Sequence, residues 1–175
     1  MTDAFGSFQH MDAQCAVPID DIYDHFIGFV EDASKKISYP YGIVYAAKKV
    51  TDAFYYAEGE KLIKLFPCED PRIFNKETPG RYKGKARYRG DMLRMVYPCN
   101  MINENHLRIQ IQGMTLGEWI VNERSLGSLR KICNDLWLWE VGKEEIEGAN
   151  KCLGDAGILL AWQSPSPTKP SRTLP

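Results

Sequence analysis

The sequence predicts an α+β fold with a single domain, in which amphipathic helices pack on a small antiparallel sheet and a flexible arm extends at each end. Two kinds of apolar periodicity occur along the chain: steps of three and four residues, typical of helices, and steps of two, typical of strands. The length of 175 residues suits one domain. We therefore place the globular domain at residues 18–163, between an N-terminal arm (1–17) and a disordered Pro-rich tail (164–175).

The first predicted helix covers residues 18–36. Pro18 suits the first turn, where its missing N–H costs nothing, and apolar residues then recur at helical spacing. Aspartates in the first turns complement the positive end of the helix dipole. Residues 43–57 also have helical spacing, while residues 61–66 fit either a helix or a short strand.

The middle of the chain predicts an antiparallel hairpin. Three prolines indicate a long surface loop over residues 67–80. Residues 82–97 begin with period-two alternation, and residues 106–113 alternate Leu and Ile with Arg and Gln, as a half-buried strand does. We expect these two segments to pair, with a turn over residues 100–105.

Two helices and a strand are predicted towards the C-terminal end. An apolar stripe that includes Leu129, Ile132 and Trp137 predicts a helix. A shorter helix is expected around residues 143–153. The continuous apolar run 158–162 predicts a buried strand.

A row of cations on the first strand of the hairpin is the main functional signal. Residues 76–94 contain seven Lys and Arg against two Asp and Glu, a net charge of +5 in a chain whose net charge is −1. On a strand, alternate cations would share one face about 6.6–7 Å apart, while Tyr82 and Tyr88 would lie in the core. Such a row fits a phosphate backbone or anionic lipid headgroups. The alternative is a solvated sheet face, or an edge strand that its charges protect against strand addition. The predicted polyanion-binding residues are Arg81, Lys83, Lys85, Arg87 and Arg89.

Three aromatic residues suggest self-association. On the predicted helix, Trp139 lies roughly 200° around the axis from Trp137. It therefore either contacts a partner or belongs to a helix that is buried on two sides. Phe5 and Phe8 are unusual in a solvating arm, which suggests that the arm docks on another surface.

Composition excludes several classes of protein. The chain is 44% hydrophobic and 26% charged, which excludes a wholly disordered chain, a collagen-like chain and a disulfide-dense mini-protein. Five widely spaced cysteines, without a C-x-x-C pair, indicate reduced thiols in a cytosolic or nuclear setting. We predict neither a signal peptide nor a membrane span, so any membrane contact is expected to be peripheral.

No catalytic motif is evident in the sequence. The three histidines are scattered, and no phosphate-binding, metalloprotease or hydrolase signature occurs. A nucleophile pair made by one cysteine with His25 or His106 stays an open alternative. We therefore predict a non-enzymatic protein with no cofactor and no metal.

The tail carries two features of regulated segments. Ser164 and Ser166 each precede a proline, as in sites for proline-directed kinases. The proline-rich composition equally fits the groove of a host adaptor protein.

The order of the predicted elements resembles that of rhabdovirus matrix proteins, particularly the small ones of plant-infecting members. The resemblance extends over residues 40–163 and rests on an amphipathic region (44–66), a basic two-strand segment (81–112) and a helical region (125–153) before the apolar strand. It implies a structural protein that condenses the viral nucleocapsid, contacts the inner membrane leaflet and self-associates. It further implies a location in the virion and the host cytoplasm, with an N-terminal segment docked on a neighbouring copy.

Two functional hypotheses follow from the sequence. The first is a non-enzymatic assembly protein that forms homo-oligomers and binds a polyanion, either nucleocapsid RNA or an anionic membrane. The second is a small soluble viral or phage regulator that inhibits a host factor by protein–protein contact. Polyanion binding weakens steeply as the salt concentration rises, whereas an apolar protein interface does not weaken in this way.

Overall fold

The fold is mixed α+β, as the sequence predicts, and its largest sheet has four antiparallel strands. The computed structural model describes residues 2–4, 8–10, 17–122, 126–133 and 135–164. The four-stranded sheet has the order β3-β4-β8-β7. In chain order the elements are β1 (Thr2–Ala4), β2 (Phe8–His10), α1 (Ile19–Ser34), β3 (Gly42–Val44), α2 (Val50–Ala57), α3 (Pro71–Asn75), α4 (Pro79–Tyr82), a 3₁₀ helix (Arg87–Arg89), β4 (Cys99–Asn103), α5 (Glu104–Leu107), β5 (Gln110–Ile111), β6 (Met114–Thr115), α6 (Leu116–Asn122), β7 (Ser128–Cys133), β8 (Leu136–Glu140) and α7 (Ile146–Asp155).

Both faces of the four-stranded sheet are covered. Helix α1 packs Ile27 and Val30 on one face, against Met101 and Leu138. The opposite face belongs to a larger core that contains Trp139. Strand β8 is therefore apolar at consecutive positions, because successive side chains point to opposite faces and each face is buried.

This two-sided burial overturns the helix predicted around residues 129–137. That segment forms the β7–β8 hairpin, in which Arg130 lies opposite Leu138 and Leu129 opposite Trp139. The second strand of this hairpin is apolar at nearly every position. Residues three and four apart are therefore apolar as well, and this imitates the spacing of a helix. The helix predicted over 18–36 is confirmed as α1.

Other local predictions have mixed outcomes. Only residues 50–57 of the predicted helix 43–57 are helical, because residues 42–44 join the sheet as β3. Residues 61–66 form turns rather than a helix or a strand. The predicted helix around 143–153 is confirmed with later bounds, as α7.

The predicted hairpin of residues 82–97 with 106–113 is wrong. Residues 82–97 contain the end of α4, the 3₁₀ helix and an isolated bridge at Leu93, and strand β4, which follows them, pairs with β3 and β8. Residues 106–113 contain the end of α5 and strand β5, which pairs with β6. The turn predicted over 100–105 is occupied by β4 and α5. The predicted surface loop 67–80 contains α3 and a buried stretch of several residues.

The apolar run 158–162 lies in the core and holds two distant segments together. Leu93 N donates to Ile158 O at 3.0 Å, and Leu160 N donates to Leu93 O at 2.8 Å. On the other side, Asp70 N donates to Ala161 O at 2.7 Å. The run forms isolated bridges instead of the predicted strand. Its hydrogen bonds to Asp70 and Leu93 attach two points of the cation-bearing part of the chain to the core.

The predicted arms fall largely outside the described residues. Within the first arm, β1 and β2 form a two-stranded antiparallel ladder. Phe5 lies outside the described residues, as does the tail beyond residue 164, and the side chain of Phe8 is not described either. Among the described residues, no helix is both long and apolar enough to cross a membrane.

Candidate polyanion-binding surface

The predicted row of cations on a strand is not formed. Helix α4 ends at Tyr82, and Lys83 then adopts a left-handed conformation with φ of 53°. Ala86 is also left-handed, with φ of 54°, and the 3₁₀ helix follows directly. These turns place neighbouring cations in different directions, so the period-two alternation of the sequence does not produce one basic face.

Arg87 is used inside the protein. Its Nε donates to Glu77 Oε2 at 3.1 Å, and its Nη2 also pairs with Glu77 Oε1. The hydrogen bond from Arg87 holds the pKa of Glu77 below its usual value, although burial of the carboxylate acts in the opposite direction. Arg87 therefore fastens the loop instead of presenting a free charge.

The remaining predicted cations have different surroundings. Lys83, Lys85 and Arg89 are exposed, whereas the side chain of Arg81 lies outside the described part of the molecule. Lys83 and Lys85 form no ion pair with a described residue. Arg94, which the sequence count included among the basic residues, is only 1% exposed and belongs to the core.

A concave site lies beside these cations. Its cavity has a volume of about 300 Å³ and brings together residues from the turn after α2, from α3 and from the end of α4. Three of its residues, Lys61, Arg72 and Lys76, are exposed cations. We call it the basic groove, because its lining holds three cations and one acid: the residues that define it are Gly59, Glu60, Lys61, Leu62, Arg72, Asn75, Lys76 and Tyr82.

The turn after α2 is held tightly against α3. Asn75 Nδ2 donates to Glu58 O at 2.6 Å, and a Cβ at Gly59 would lie 2.8 Å from the carbonyl oxygen of Pro71. Lys61 and Leu62 are both left-handed, with φ of 51° and 54°. Non-glycine residues seldom adopt this conformation, and such residues concentrate at functional sites.

Three of the four acidic residues of segment 60–89 are engaged internally, and the fourth, Glu60, lines the groove. Residues 60–89 contain nine Lys and Arg against four Asp and Glu, a net charge of +5. Asp70 accepts from Arg72 Nε at 2.9 Å and caps α3 by accepting from Arg72 N at 3.0 Å, so its pKa is lowered. Glu69 is fully buried, and Glu77 is bound by Arg87. The outer surface of the segment therefore carries a larger excess of positive over negative charge than a count of its residues indicates.

A buried arginine cluster, made of Arg94, Glu69, Tyr56 and Tyr97, lies in the core beside this segment. Arg94 Nη2 is 3.4 Å from Glu69 Oε1, and Tyr56 Oη donates to the same oxygen at 2.8 Å. The hydroxyl oxygens of Tyr56 and Tyr97 are 2.6 Å apart. Burial raises the pKa of both phenols well above the ordinary value.

The buried arginine cluster joins the groove segment to the rest of the core. Arg94 Nη1 donates to Ala57 O at 3.0 Å, just before the turn that forms one side of the groove. Its Cζ lies 4.0 Å from the ring centroid of Tyr56 and 4.2 Å from that of Phe74 in α3. Sequence reasoning missed this role, because a lone arginine near other cations gives no sign of burial.

The histidines and cysteines that the sequence singled out have separate environments. His25 is exposed on α1, whereas His106 is buried and its Nε2 lies 2.9 Å from Tyr88 O. Because a carbonyl oxygen only accepts, Nε2 donates, and Nδ1 accepts from Asn103 N at 3.2 Å. Burial raises the pKa of the Cys99 thiol to about 12. Among the described residues, no group of three or more His, Cys, Asp or Glu could hold a metal ion.

Of the two alternatives for Trp139, the structure shows two-sided burial, in strand β8 instead of a helix, so the residue offers no surface for self-association. The residue is fully buried in the sheet, and its Nε1 donates to Leu126 O at 2.7 Å. Trp137 is partly buried, and its Nε1 donates to Glu104 Oε1 at 3.1 Å. Tyr88 lies in the core as predicted, whereas Tyr82 is 48% exposed at the groove.

Comparison with known proteins adds no relative: no family model, no curated protein and no solved structure matches the chain.

Proposed function

We propose that the protein binds nucleic acid through the basic groove and the cations beside it. One observation carries this proposal: Glu69, Asp70 and Glu77, three of the four acidic residues of segment 60–89, are buried and paired, while the exposed cations of the segment include Lys61, Lys76, Lys83 and Lys85. A cluster of exposed cations binds phosphates by releasing condensed counterions. The phosphates of the bound nucleic acid supply the negative charges that these exposed lysines do not find within the protein.

The shape of the surface favours nucleic acid over a membrane. A membrane-binding surface places apolar residues below a plane of cations, so that they enter the acyl boundary. Here the cations line a concavity instead of a plane, together with the polar Asn75 and a single exposed aliphatic residue, Leu62. A chain of phosphates can follow such a groove, whereas a flat layer of headgroups meets only its rim.

The assembly role that the resemblance to rhabdovirus matrix proteins implies is part of this proposal. Helix α1 supports self-association, since it carries five acidic residues and no Lys or Arg, and its Phe29 is 48% exposed. Asp20, Glu31 and Asp32 already pair with cations of the same chain. Asp21 and Asp24 form no ion pair with a described residue, and they are complementary in charge to the basic groove of a second copy. Light scattering across protein concentration and salt tests it: oligomers that dissociate at high salt are expected, and a strict monomer contradicts it.

Charge reversal tests nucleic-acid binding. We expect Lys76→Glu with Lys83→Glu to weaken binding of a single-stranded RNA by at least about tenfold at low salt, because each change removes one phosphate contact and adds a repulsion. Fluorescence anisotropy over a salt series measures the effect. Lys36→Glu with Lys48→Glu is the matched control, since both lysines are exposed, neither lines the groove and the change in net charge is the same.

Three results would contradict the proposal. Equal effects of Lys36→Glu with Lys48→Glu and of the groove variant would show a dependence on net charge alone. Binding to anionic vesicles but not to RNA would favour the membrane. Binding to neither would favour the alternative hypothesis, in which the protein inhibits a host factor by protein–protein contact.

A further inference from the structure

We infer that two copies of the chain pair through α1, with the two helices antiparallel and an apolar stripe of each helix in the contact. This inference rests on the self-association in the proposed function and deepens it, since it names the surface through which two copies meet. Three features of α1 support it: partial exposure of the stripe, a spacing that is unchanged on reversal, and opposite charges at the two ends of the helix. We call the stripe the outer stripe, and its residues are Ile22, Phe26, Phe29 and Ala33.

Helix α1 has two apolar stripes, and the four-stranded sheet covers one of them. Ile27 and Val30 are buried against the sheet, and Ser34 is buried one turn further along. Each residue of the outer stripe directly precedes a residue of the covered stripe, so the two stripes lie about 100° apart around the helix axis. Phe29 is 48% exposed, and the other residues of the outer stripe are partly exposed. An apolar stripe that its own domain leaves open is typical of a contact surface.

The spacing of the outer stripe suits pairing with a second copy of itself. Its residues are separated by four, three and four positions, and this order is the same when the helix is read in reverse. An antiparallel second copy therefore places its Phe29 opposite Phe26, and its Ala33 opposite Ile22. Alternating steps of three and four residues are those of helices that pack side by side. Within one copy, the ring centroids of Phe26 and Phe29 are 6.4 Å apart, so the centre of the contact is aromatic.

The charges along α1 favour the antiparallel orientation. Aspartates occupy its first two turns, whereas Lys35 and Lys36 follow its last residue. Asp21 and Lys36 lie beside the outer stripe on its exposed side, and neither forms an ion pair with a described residue. In the antiparallel pair, Asp21 of each copy lies near Lys36 of the other, so opposite charges meet at both ends of the contact. A parallel pair would bring like charges together.

The contact is small, and it closes at two copies. One helix of 16 residues supplies each side, which places the contact among weak interfaces, below about 1,200 Å². Chains related by a twofold axis meet through the same surface and leave no stripe open for a third copy. Asp24 lies on the opposite side of the helix, so it stays available to the basic groove of a further copy. High salt should therefore separate larger oligomers into pairs that the apolar contact holds together.

Analytical ultracentrifugation over a range of protein concentrations tests the pairing. We expect Phe29→Glu to weaken dimerisation at least about tenfold, because it places a charge at the apolar centre of the contact. Val121→Glu is the matched control, since Val121 is 68% exposed on α6 and the change in charge is the same. Circular dichroism checks that both variants keep the fold.

A charge exchange tests the orientation. Asp21→Lys and Lys36→Glu should each weaken dimerisation, because each leaves like charges at both ends of the contact. The double variant exchanges the two charges and should restore the parent affinity. RNA binding is measured below the protein concentration at which the parent dimerises, so Lys36→Glu changes net charge there without changing the pairing.

The outcomes separate this inference from the proposed function. It is wrong if Phe29→Glu dimerises as the parent does, or if the double charge variant stays as weak as the single ones. Dimers that Lys76→Glu with Lys83→Glu removes and Phe29→Glu keeps would place α1 in the groove, and self-association would stand without the α1 pair. A parent that is monomeric at every concentration contradicts both, whereas RNA binding by that monomer would leave the nucleic-acid proposal intact.

Discussion

The basic groove and the buried arginine cluster use similar side chains in opposite surroundings. Each combines basic side chains with tyrosine, and Glu69 of the cluster belongs to the same segment as the groove. In the cluster, the Arg94 guanidinium meets a carboxylate and two aromatic rings within the core. In the groove, Lys76 and Tyr82 face solvent. Charge and residue type are therefore alike, and burial separates the structural role of the cluster from the binding role that we propose for the groove.

This difference has an energetic consequence. A buried ion is stable only when its partners replace the water that it lost, so the cluster depends on every member. An exposed lysine keeps its water and contributes little to folding. Substitutions in the two regions should therefore change different quantities. Those in the buried arginine cluster should change the free energy of unfolding, and those in the basic groove should change the affinity for nucleic acid.

The largest effect is expected from Arg94→Ala. It leaves Glu69 buried without its guanidinium, although Tyr56 Oη and Leu65 N still donate to the carboxylate. We expect a loss of about 3–5 kcal/mol in the free energy of unfolding, because one partner of a buried ion pair remains unpaired. Urea denaturation measures it. A loss below about 1 kcal/mol would show that the cluster does not hold the groove segment in place.

The second effect is a pH dependence from His106. Its ring centroid lies 5.3 Å from that of Tyr41, whose hydroxyl accepts from Arg94 N, so it extends the buried region. Burial lowers the pKa of His106 from 6.5 to about 4 in the folded protein. The neutral ring is therefore favoured in the fold, and its stabilisation is complete above pH 6.5 and declines as the pH falls towards 4.

The expected size of this decline is about 3 kcal/mol over the whole window. Urea denaturation at several pH values measures it, and His106→Gln should flatten the slope between these values. His25→Gln is the matched control, because His25 is exposed on α1 and no other element buries it. An unchanged slope in His106→Gln would assign the acid sensitivity to the carboxylates instead.

The sequence predicted the fold class and the helices α1 and α7, because each of these helices has one apolar stripe and one polar face. It failed where burial is two-sided. Strand β8 is apolar at consecutive positions, so nothing in its pattern distinguishes a strand from a helix. Assigning this segment to a helix placed Trp139 on the side opposite Trp137, which is why contact with a partner became one of its two predicted roles.

The candidate site was predicted in composition but not in geometry. The excess of cations around residue 83 is visible in the sequence, and Lys83 and Lys85 are exposed as a binding role requires. The left-handed turns at Lys83 and Ala86 are not visible, since neither residue type favours that conformation. The pairing of Arg87 with Glu77 is likewise a long-range contact that no local pattern announces.

The smallest effect on stability is expected from the lysines themselves, and it gives the comparison its sharpest form. Lys83→Ala and Lys85→Ala should each change the free energy of unfolding by no more than about 0.5 kcal/mol, because both side chains are exposed and form no ion pair with a described residue. For RNA binding, each should reduce the slope of log affinity against log salt by about 0.7, the value for one lost phosphate contact on a single strand. Urea denaturation and anisotropy on the same samples measure the two quantities. A variant that lowered stability without changing the salt slope would place its lysine with Arg94, among the cations that hold the fold. The opposite pattern, an unchanged stability with a reduced slope, is what distinguishes a surface built for an anionic partner from a solvated face.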